Sequence, residues 1–333
     1  MKIDVQSNCV EIDFEPFIIA EIGSNFNQDI DQAKKLIEAS ADANANAVKF
    51  QLFKAEELYK PEDNLYSVFK SIELNPDWVP ILKEFSTELG LEFMASAFDQ
   101  FSIKVLEENG VFAHKIASSE TTNIKLLHSF AKTQKPLIIS TGMCDFADVS
   151  NAVEICRDCG NEKIILLQCT SLYPSKPRDM NLNVINSFKK YFGFPVGLSD
   201  HSLGWTAAVA AIGLGAKVFE KHITLDKNSD GPDHFYSLEP SEFKAYIEQI
   251  MEASEALGNH QKEALTEEKA IGRRDGIYAS KNISIGEILT EDCLKIERPA
   301  IGIRSHYLDG IVGAKASENI AKGQPVKWAD LTF

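Results

Sequence analysis

The sequence lacks an apolar run that approaches the roughly 20 residues of a membrane span. It also lacks an excess of basic residues, because 34 Lys and Arg stand against 49 Asp and Glu, a formal net charge of −15. Nucleic acids and anionic membranes both reward clustered cations, so this balance argues against either as a partner. Residues 1–14 lack the basic-then-apolar order of a secretory signal, and we expect a cytoplasmic protein.

Two nucleotide-binding motifs are also missing. No G-x-G-x-x-G follows the first predicted strand and no P-loop lysine motif occurs, which argues against dinucleotide and ATP chemistry. The six cysteines include one C-x-x-C, Cys156–Cys159, without a second pair. Since a structural zinc site takes four ligands, we expect free thiols instead.

What is present is an alternation of short apolar runs and segments of helical periodicity between Phe17 and Gly258. Eight strand–helix units in roughly 240 residues match the size of a (β/α)8 TIM barrel, and regular alternation predicts parallel strands. A doubly wound open sheet is the competing fold. The predicted strands are Phe17–Ile22, Ala47–Gln51, Leu91–Ala95, Phe112–Ala117, Leu137–Thr141, Lys163–Cys169, Phe194–Leu198 and Lys217–Ile223.

After Gly258 the regular alternation of strand-like and helix-like segments ends. Residues 259–276 are polar and contain Gly272-Arg273-Arg274, which is typical of a linker. Residues 277–333 carry short strand-like pieces separated by turns, among them Ile311–Val312. We therefore predict a TIM-barrel domain over 1–258, a linker over 259–276 and a small, mostly β domain over 277–333.

Polar residues collect where the predicted barrel strands end, and these ends face the active-site mouth of such a barrel. Lys and Glu are almost never fully buried without partners, so the set indicates either a site or a dense ion-pair network. Its members are Glu21, Lys49, Gln51, Lys115, Ser118, Glu120, Ser140, Ser171, Ser199, Asp200, His201, Glu220 and His222.

The chemistry of this set can be read from the residue types. His201 and His222 follow two neighbouring apolar runs, and parallel strands about 4.8 Å apart would let their imidazoles share a divalent cation. The alternative is two loop histidines without a common partner. Lys49, Lys115 and the serine hydroxyls suit a small anion such as a phosphate ester. Glu21 or Glu120 could move protons, so the set favours addition of an anionic carbon nucleophile to a metal-activated aldehyde.

These motifs resemble those of the sialic acid (nonulosonate) synthases, which condense phosphoenolpyruvate with a 2-acetamido sugar of the mannosamine type. The resemblance runs from Phe14 to the C-terminus, and residues 277–333 resemble the antifreeze-like (SAF) domain of such synthases. The motifs on which the resemblance rests are I-A-E-I-G at 19–23, V-K-F-Q at 48–51, K-I-A-S at 115–118, S-T-G-M at 140–143, C-T at 169–170, Y-P at 173–174, G-L-S-D-H-S at 197–202, E-K-H at 220–222, G-P-D at 231–233 and E-R-P at 297–299.

The resemblance implies a role for each matching residue. The manganese ligands of the family match His201 and His222, with Mg²⁺ and Co²⁺ as alternative ions. Glu21 and Glu120 match proton-handling positions. A domain-swapped homodimer is implied, in which Arg298 of one protomer reaches the N-acyl group of the sugar in its partner. The phosphoenolpyruvate contacts match Lys49, Lys115, Ser118, Ser140 and Ser199, and the sugar contacts match Gln51, Tyr173 and Asp233. Ser171 is also expected to bind phosphoenolpyruvate, because its hydroxyl can donate to phosphate.

Two positions depart from the family pattern. The chain reads N-F-N-Q at 25–28 where the family commonly has N-H-N-G, and it has Ser171 where many members have Asn. The acceptor stays open, because residues 169–171 and 179–182 resemble pseudaminate synthases whereas 231–234 resemble the sialic and legionaminic types. N-acetylmannosamine is the expected acceptor, with a 2,4-diacetamido-trideoxyhexose as the alternative. A barrel aldolase acting on another aldehyde and a non-catalytic carbohydrate-binding protein are the rival functions.

Overall fold

The computed structural model describes residues 2–5, 8–11 and 15–333, with side-chain surroundings from residue 15 onward. The expectation that residues 1–14 form no secretory signal, and the start of the family resemblance at Phe14, lie wholly or partly outside this description. The chain divides into two compact units, one ending at Gly258 and one spanning Asn259–Phe333. No helix in the described ranges has both the length and the hydropathy to cross a bilayer.

The first unit contains a closed barrel of eight parallel strands in the order β10-β3-β4-β5-β6-β7-β8-β9. This architecture confirms the predicted TIM barrel and excludes the open doubly wound sheet. A hairpin of β1 (Lys2–Val5) and β2 (Asn8–Glu11) precedes it. The barrel strands are β3 (Phe17–Gly23), β4 (Ala47–Leu52), β5 (Glu92–Ala97), β6 (His114–Ile116), β7 (Leu137–Ser140), β8 (Ile164–Cys169), β9 (Val196–Asp200) and β10 (Val218–His222).

Helices cover the outside of the barrel, so each strand is buried on both faces and reads as an apolar run. Aspartates cap several helix starts; the carboxylates of Asp29, Asp99 and Asp145 accept hydrogen bonds from first-turn N–H groups. The helices are α1 (Ile30–Asp42), α2 (Ala55–Leu58), α3 (Asn64–Ser71), α4 (Trp78–Glu88), α5 (Gln100–Glu108), α6 (Ile124–Lys132), α7 (Phe146–Asp158), α8 (Val184–Phe192), α9 (Thr206–Gly213) and α10 (Pro240–Leu257).

The core of the first unit has two layers. A small cluster that includes Ile19, Met94 and Val218 fills the barrel interior. A larger cluster that includes Leu198 and Phe219 lies between the strands and the helices. Alternate residues of one strand therefore face the interior or the helices, and this alternation continues into the polar strand ends.

The second unit has its own core, formed by side chains such as Ile277, Leu289 and Val326. The prediction of a strand at Ile311–Val312 is wrong, because Ile311 ends a helix. Leu308 and Ile311 lie three residues apart on that helix, so both reach the core, which a two-residue apolar pattern could not reveal. The elements are α11 (Thr266–Ala270), β11 (Gly276–Ala279), β12 (Leu294–Glu297), α12 (Leu308–Ile311), β13 (Lys315–Ala316) and β14 (Leu331–Thr332).

Candidate active site

A cavity of about 470 Å³ opens at the carboxyl ends of the barrel strands. Of the predicted site residues in the first unit, all except Asp200 and Asp233 line it. The structure therefore brings together Glu21, Lys49, Gln51, Lys115, Ser118, Glu120, Ser140, Ser171, Tyr173, Ser199, His201 and His222. Glu220 and Ser96 line it as well.

Strand register explains why these side chains meet. Glu21 on β3 is paired with Lys49 on β4, and Glu220 on β10 with Ser199 on β9. Val218 packs in the barrel interior and Phe219 in the outer layer, so Glu220 and His222 face inward. The same alternation that builds the apolar interior thus places charged groups where the apolar layers end.

The floor of the cavity is a buried cluster of two ammonium and two carboxylate groups. Lys49 Nζ lies 2.6 Å from Glu21 Oε2 and 3.6 Å from Glu220 Oε1. Lys115 Nζ lies 3.6 Å from Glu220 Oε2. Lys49 also donates a hydrogen bond to Ser96 Oγ at 2.9 Å. All four charged side chains are at most 6% exposed, so they interact with little screening by water.

Within this cluster the carboxyl groups of Glu21 and Glu220 have very different pKa values. Burial raises the pKa of Glu21 to about 7; Lys49 opposes this rise and Glu220 adds to it. Burial also disfavours ionisation of Glu220, but Lys115 and Lys49 outweigh it and lower the pKa to about 2. Such a separation is typical of sites in which one carboxyl handles protons and the other stays ionised.

The two lysines differ in the same way. Burial lowers the pKa of Lys115, and the attraction of Glu220 compensates only in part. For Lys49 the carboxylates Glu21 and Glu220 outweigh burial and raise the pKa. Lys49 is thus firmly held in its charged form. A further negative group, such as an anionic substrate, would stabilise the charged form of Lys115.

Hydroxyl groups gather beside this cluster. Ser118 Oγ accepts a hydrogen bond from the Gly142 N–H at 2.9 Å. A Cβ at residue 142 would lie 2.9 Å from Ser118 Oγ and collide with Ser171 Oγ, so any other residue would displace these two hydroxyls. Ser140 Oγ is buried and finds no hydrogen-bond partner within the described part of the chain. This hydroxyl is therefore available to donate to or accept from a molecule bound in the cavity.

The two predicted metal ligands are neighbours, with ring centroids 5.7 Å apart. His201 Nδ1 lies 2.9 Å from the Thr170 carbonyl oxygen; since a carbonyl only accepts, Nδ1 carries the proton and Nε2 is left as a donor atom for a ligand. His222 Nδ1 is buried and unpaired in the ranges the structure describes. Tyr173 packs on His201, with centroids 4.2 Å apart.

This pair fits a divalent cation as two nitrogen ligands. Residues 15–333 contain no group of three or more His, Cys, Asp or Glu side chains that could hold a metal ion. A cation here would complete its coordination with substrate or water, which is the open type of site that metal catalysis uses.

Two further predicted residues are held by local partners. Gln51 Nε2 donates to Glu21 Oε1 at 3.0 Å. Glu120 Oε2 accepts from Asn123 Nδ2 at 3.1 Å, and its carboxylate lines the cavity on the turn after β6. Glu21 is thus restrained by two neighbours, Lys49 and Gln51, whereas Glu120 is restrained by one.

The structure does not bring Asp233 into the cavity. Its carboxylate is half-buried and accepts hydrogen bonds from Tyr236 OH at 2.7 Å and Ser24 Oγ at 3.0 Å. Gly23, at φ +55°, allows this approach because a Cβ there would lie 2.8 Å from Asp233 Oδ2. Asp233 therefore ties the loop after β10 to the turn after β3. Arg298 belongs to the second unit, where it is largely exposed and donates through Nε to Asp275 Oδ1 at 2.8 Å.

Phe26, one of the departures from the family pattern, is fully buried. Its ring meets Phe50 edge-on at 5.9 Å and Trp78 at 6.4 Å, within the layer between barrel and helices. The phenylalanine is accommodated as core and is not among the residues that line the cavity.

Sequence reasoning gave no role to several lining residues. Glu220 could have been assigned one, because it alternates with His222 on a strand whose interior face was already defined. The cavity also has an apolar wall, formed by Leu58, Tyr59, Phe69 and Phe98. The sequence gives no sign of this wall, because these residues lie on short helices and turns that are not related by a strand or helix periodicity. Tyr59 and Phe69 pack with centroids 4.8 Å apart.

Comparison with known proteins gives consistent matches over the whole barrel and the second unit. A model of the NeuB family matches residues 36–262, and a model of the SAF domain matches residues 274–332. An uncharacterized protein of Methanocaldococcus jannaschii is 40% identical over 95% of this chain and 94% of its own length. The N,N'-diacetyllegionaminic acid synthase of Legionella pneumophila is 38% identical over 94% of this chain and 93% of its own.

A solved structure matches at the level of the fold. The crystal structure of N-acetylneuraminic acid synthetase from Leptospira borgpetersenii superposes with a TM-score of 0.76 at 33% identity. The match covers 81% of this chain and 95% of that one.

Proposed function

Because the chain belongs to the NeuB family of sialic acid and related nonulosonate synthases, we propose that it condenses phosphoenolpyruvate with an N-acetylmannosamine-type sugar. The products are a nine-carbon 2-keto sugar acid and phosphate. The observation that carries the proposal is the cavity floor, where Lys49 and Lys115 lie in one pocket with Ser140, whose hydroxyl has no hydrogen-bond partner among residues 15–333.

Charge balance in the cavity supports an anionic substrate together with a cation. The two lysines of the floor are already balanced by Glu21 and Glu220. A substrate with a carboxylate and a phosphate would therefore add uncompensated negative charge to a buried site, which is costly. A divalent cation on His201 and His222 would supply the compensation and leave Glu21 ionised, so that it can accept a proton. We propose Mn²⁺ for this position, with Mg²⁺ or Co²⁺ as alternatives.

The residues of this chain then have definite tasks. Lys49 and Lys115 hold the anionic groups of phosphoenolpyruvate, and Ser118, Ser140, Ser171 and Ser199 donate to its oxygens. His201 and His222 would hold the divalent cation, which would supply Lewis acidity toward the aldehyde of the open-chain sugar. Tyr173 and Gln51 line the space above the floor and orient the sugar so that its aldehyde carbon faces C3 of the enol.

The reaction balances as follows. The C2=C3 π bond of phosphoenolpyruvate supplies the electron pair that joins C3 to the aldehyde carbon, the carbonyl π pair moves onto the aldehyde oxygen, and water adds at C2. Glu21, placed beside Lys49, accepts one proton of that water, which offsets the proton taken up by the former aldehyde oxygen. The second proton leaves with phosphate as the C2–O bond breaks, and C2 becomes the keto carbon.

A second acceptor class is favoured by one observation. The wall formed by Leu58, Phe69 and Phe98 is apolar, so methyl groups would bury more apolar area against it than hydroxyls. A 2,4-diacetamido-trideoxyhexose carries such methyl groups, and the relative from Legionella is named for a diacetylated product. We therefore keep legionaminate or pseudaminate synthesis as the second candidate.

The test is phosphate release and product mass with phosphoenolpyruvate, Mn²⁺ and each candidate sugar. We expect phosphate release with one acetamido sugar, loss of release after addition of EDTA, and loss of it in His201→Ala with an unchanged circular dichroism spectrum. Binding of the sugars without phosphate release from any of them would support the carbohydrate-binding alternative.

We also propose a cytoplasmic, domain-swapped homodimer. Apolar side chains on loops at the cavity end are exposed, among them Met143 at 74% and Leu203 at 62%. In the second unit Trp328 and Phe333 are exposed as well. A partner subunit would cover these exposed apolar side chains, and Arg298 is exposed enough to reach a partner's cavity.

Subunit mixing tests the swap. A swapped dimer of His201→Ala with Arg298→Ala protomers contains one intact site, so equal mixing after dissociation should restore about a quarter of wild-type activity. The unmixed variants are the controls. No recovery in mixtures shown by mass to contain heterodimers would contradict a shared site.

A further inference from the structure

A buried ion pair lies directly behind the two predicted metal ligands, on the outer face of the barrel. Lys221 Nζ is 3.0 Å from Asp200 Oδ2, and both side chains are at most 1% exposed. Asp200 directly precedes His201, and Lys221 directly precedes His222. Neither charged residue lines the cavity, so neither has access to substrate.

Strand register creates this pair. Asp200 on β9 and Lys221 on β10 are direct cross-strand partners. Leu198 and Phe219, two residues before each of them, pack in the layer between barrel and helices. The pair therefore faces α10, where the Tyr246 ring lies 5.3 Å from Lys221 Nζ.

The pair holds the backbone on both sides of His201. Asp200 Oδ1 accepts from the Ser202 N–H at 2.8 Å and from Ser202 Oγ at 2.6 Å. Lys221 Nζ donates to Asp200 and also to the Ser202 carbonyl oxygen. One ammonium on the strand of His222 thus fastens the residues that precede and follow His201.

Stability does not account for this arrangement. Removing two charges from water is expensive, and buried ion pairs can often be replaced by apolar residues without loss of stability. In some proteins such a buried polar group fixes the register between the elements that carry it, and here the pair joins β9 to β10. Groups behind the ligands of a metal ion commonly orient those ligands and set the affinity for the metal.

We propose that Asp200 and Lys221 are positioning residues that fix the separation and orientation of His201 and His222 and thereby set the affinity of the site for a divalent cation. The inference rests on the proposed function insofar as the two imidazoles are taken to bind that cation. It assigns a task to Asp200 and Lys221, two residues of the S-D-H-S and E-K-H motifs that do not line the cavity.

The test removes both charges together, because a single substitution would leave an uncompensated buried charge. In Asp200→Asn/Lys221→Met the amide can still accept from the Ser202 N–H, and the side-chain volumes change little. Mn²⁺ binding is measured by titration calorimetry, Co²⁺ binding by visible absorption, and thermal unfolding in EDTA. We expect the Kd for Mn²⁺ to rise about tenfold or more and the Co²⁺ spectrum to change.

Two further variants keep the result decisive. Ile250→Val shortens a fully buried side chain on α10 and serves as a control for general destabilisation; its Kd for Mn²⁺ should equal that of the wild type. Ser202→Ala removes one hydrogen bond to Asp200 and leaves the charges paired. It should raise the Kd in the same direction by a smaller factor, and it decides the question alone if the double variant does not fold.

Wild-type Kd values and Co²⁺ spectra in the double variant and in Ser202→Ala would overturn the inference. A fall in the melting temperature without a change in Kd would mean a structural role only, and would overturn it too. Failure of the wild type to bind Mn²⁺ would instead refute the metal role of His201 and His222 and the inference with it. Binding that disappears in His201→Ala but persists unchanged in the double variant would refute the inference alone.

Discussion

Replacement of Glu21 by glutamine should stabilise the protein at alkaline pH while removing most of its activity. Glu21 is fully buried beside Lys49, and burial raises its pKa from 4.5 to about 7 despite that ammonium. A carboxyl whose pKa is higher in the folded than in the unfolded protein favours the folded state least when it is ionised.

The sign and size follow from linkage. Below the unfolded pKa both states bind the proton and Glu21→Gln should change the free energy of unfolding little. As the pH rises from 4.5 to about 7, the wild type loses stability that the variant keeps. At about 1.4 kcal/mol per pKa unit, the difference reaches about 3 kcal/mol at pH values above 7. Activity should fall by about 10²- to 10⁴-fold, the usual contribution of a general base.

The assay compares thermal unfolding of both proteins in EDTA at acidic and alkaline pH with their rates of phosphate release. Glu220→Gln is the matched control within the same cluster. Because Glu220 is the shared partner of Lys49 and Lys115, its loss leaves buried ammonium charge and should destabilise the protein by about 3–5 kcal/mol at alkaline pH. Equal destabilisation of Glu21→Gln and Glu220→Gln at alkaline pH would refute the reasoning, since it would mean that Lys49 holds Glu21 ionised.

Three other changes have outcomes that can be measured directly. Gly142→Ala places a methyl group against Ser118 and Ser171; the Kd for phosphoenolpyruvate by calorimetry should rise while the acceptor KM stays constant, and an unchanged Kd would remove these serines from the phosphate site. Phe26→His puts a polar ring into a fully buried aromatic contact and should cost about 1–3 kcal/mol in urea unfolding without raising activity; a gain in turnover would show that the histidine of other family members acts in catalysis. A hydrogen bond from His114, with Lys135 nearby, lowers the pKa of Glu107, so its contribution to stability is present above the ordinary pKa and is lost as the pH falls through the lowered one. Glu107→Gln should flatten the decline of the melting temperature in that acidic range, and an unaltered decline would contradict the assignment.

The barrel and most of its cavity could be predicted because both depend on short-range periodicity. A strand that alternates inward and outward residues places Lys49 and Gln51, or Glu220 and His222, on one face without any knowledge of the neighbouring strands. Once eight such strands are parallel, their carboxyl ends meet by topology. The polar ends of the strands therefore carried most of the information about the site.

Contacts made by loops could not be predicted in this way. Asp233 belongs to a motif that resembles sugar-binding sequences, yet its carboxylate is directed at Ser24 and Tyr236. The direction of this carboxylate depends on the distance between two loops, and the periodicity of the sequence contains no information about that distance. The apolar wall at Tyr59 and Phe69 depends on the same kind of long-range geometry. In the second unit, strands of two to four residues are too short for an alternation to be read, as the helix at Ile311 shows.

Pairing of β3 with β10 has a consequence for how the protein is made. The first and last strands of the cylinder meet along a seam, with Glu21 opposite His222, and Asn25 Nδ2 reinforces it through the Ile223 carbonyl oxygen at 2.9 Å. A growing chain that has not yet reached Val218 keeps two open sheet edges, which invite pairing with other chains. The ribosome must synthesise β10 before the open edges of β3 and β9 can pair within the protein. Closure of the barrel, which brings His222 to the cavity, and protection of both sheet edges from pairing with other chains thus arrive in one step.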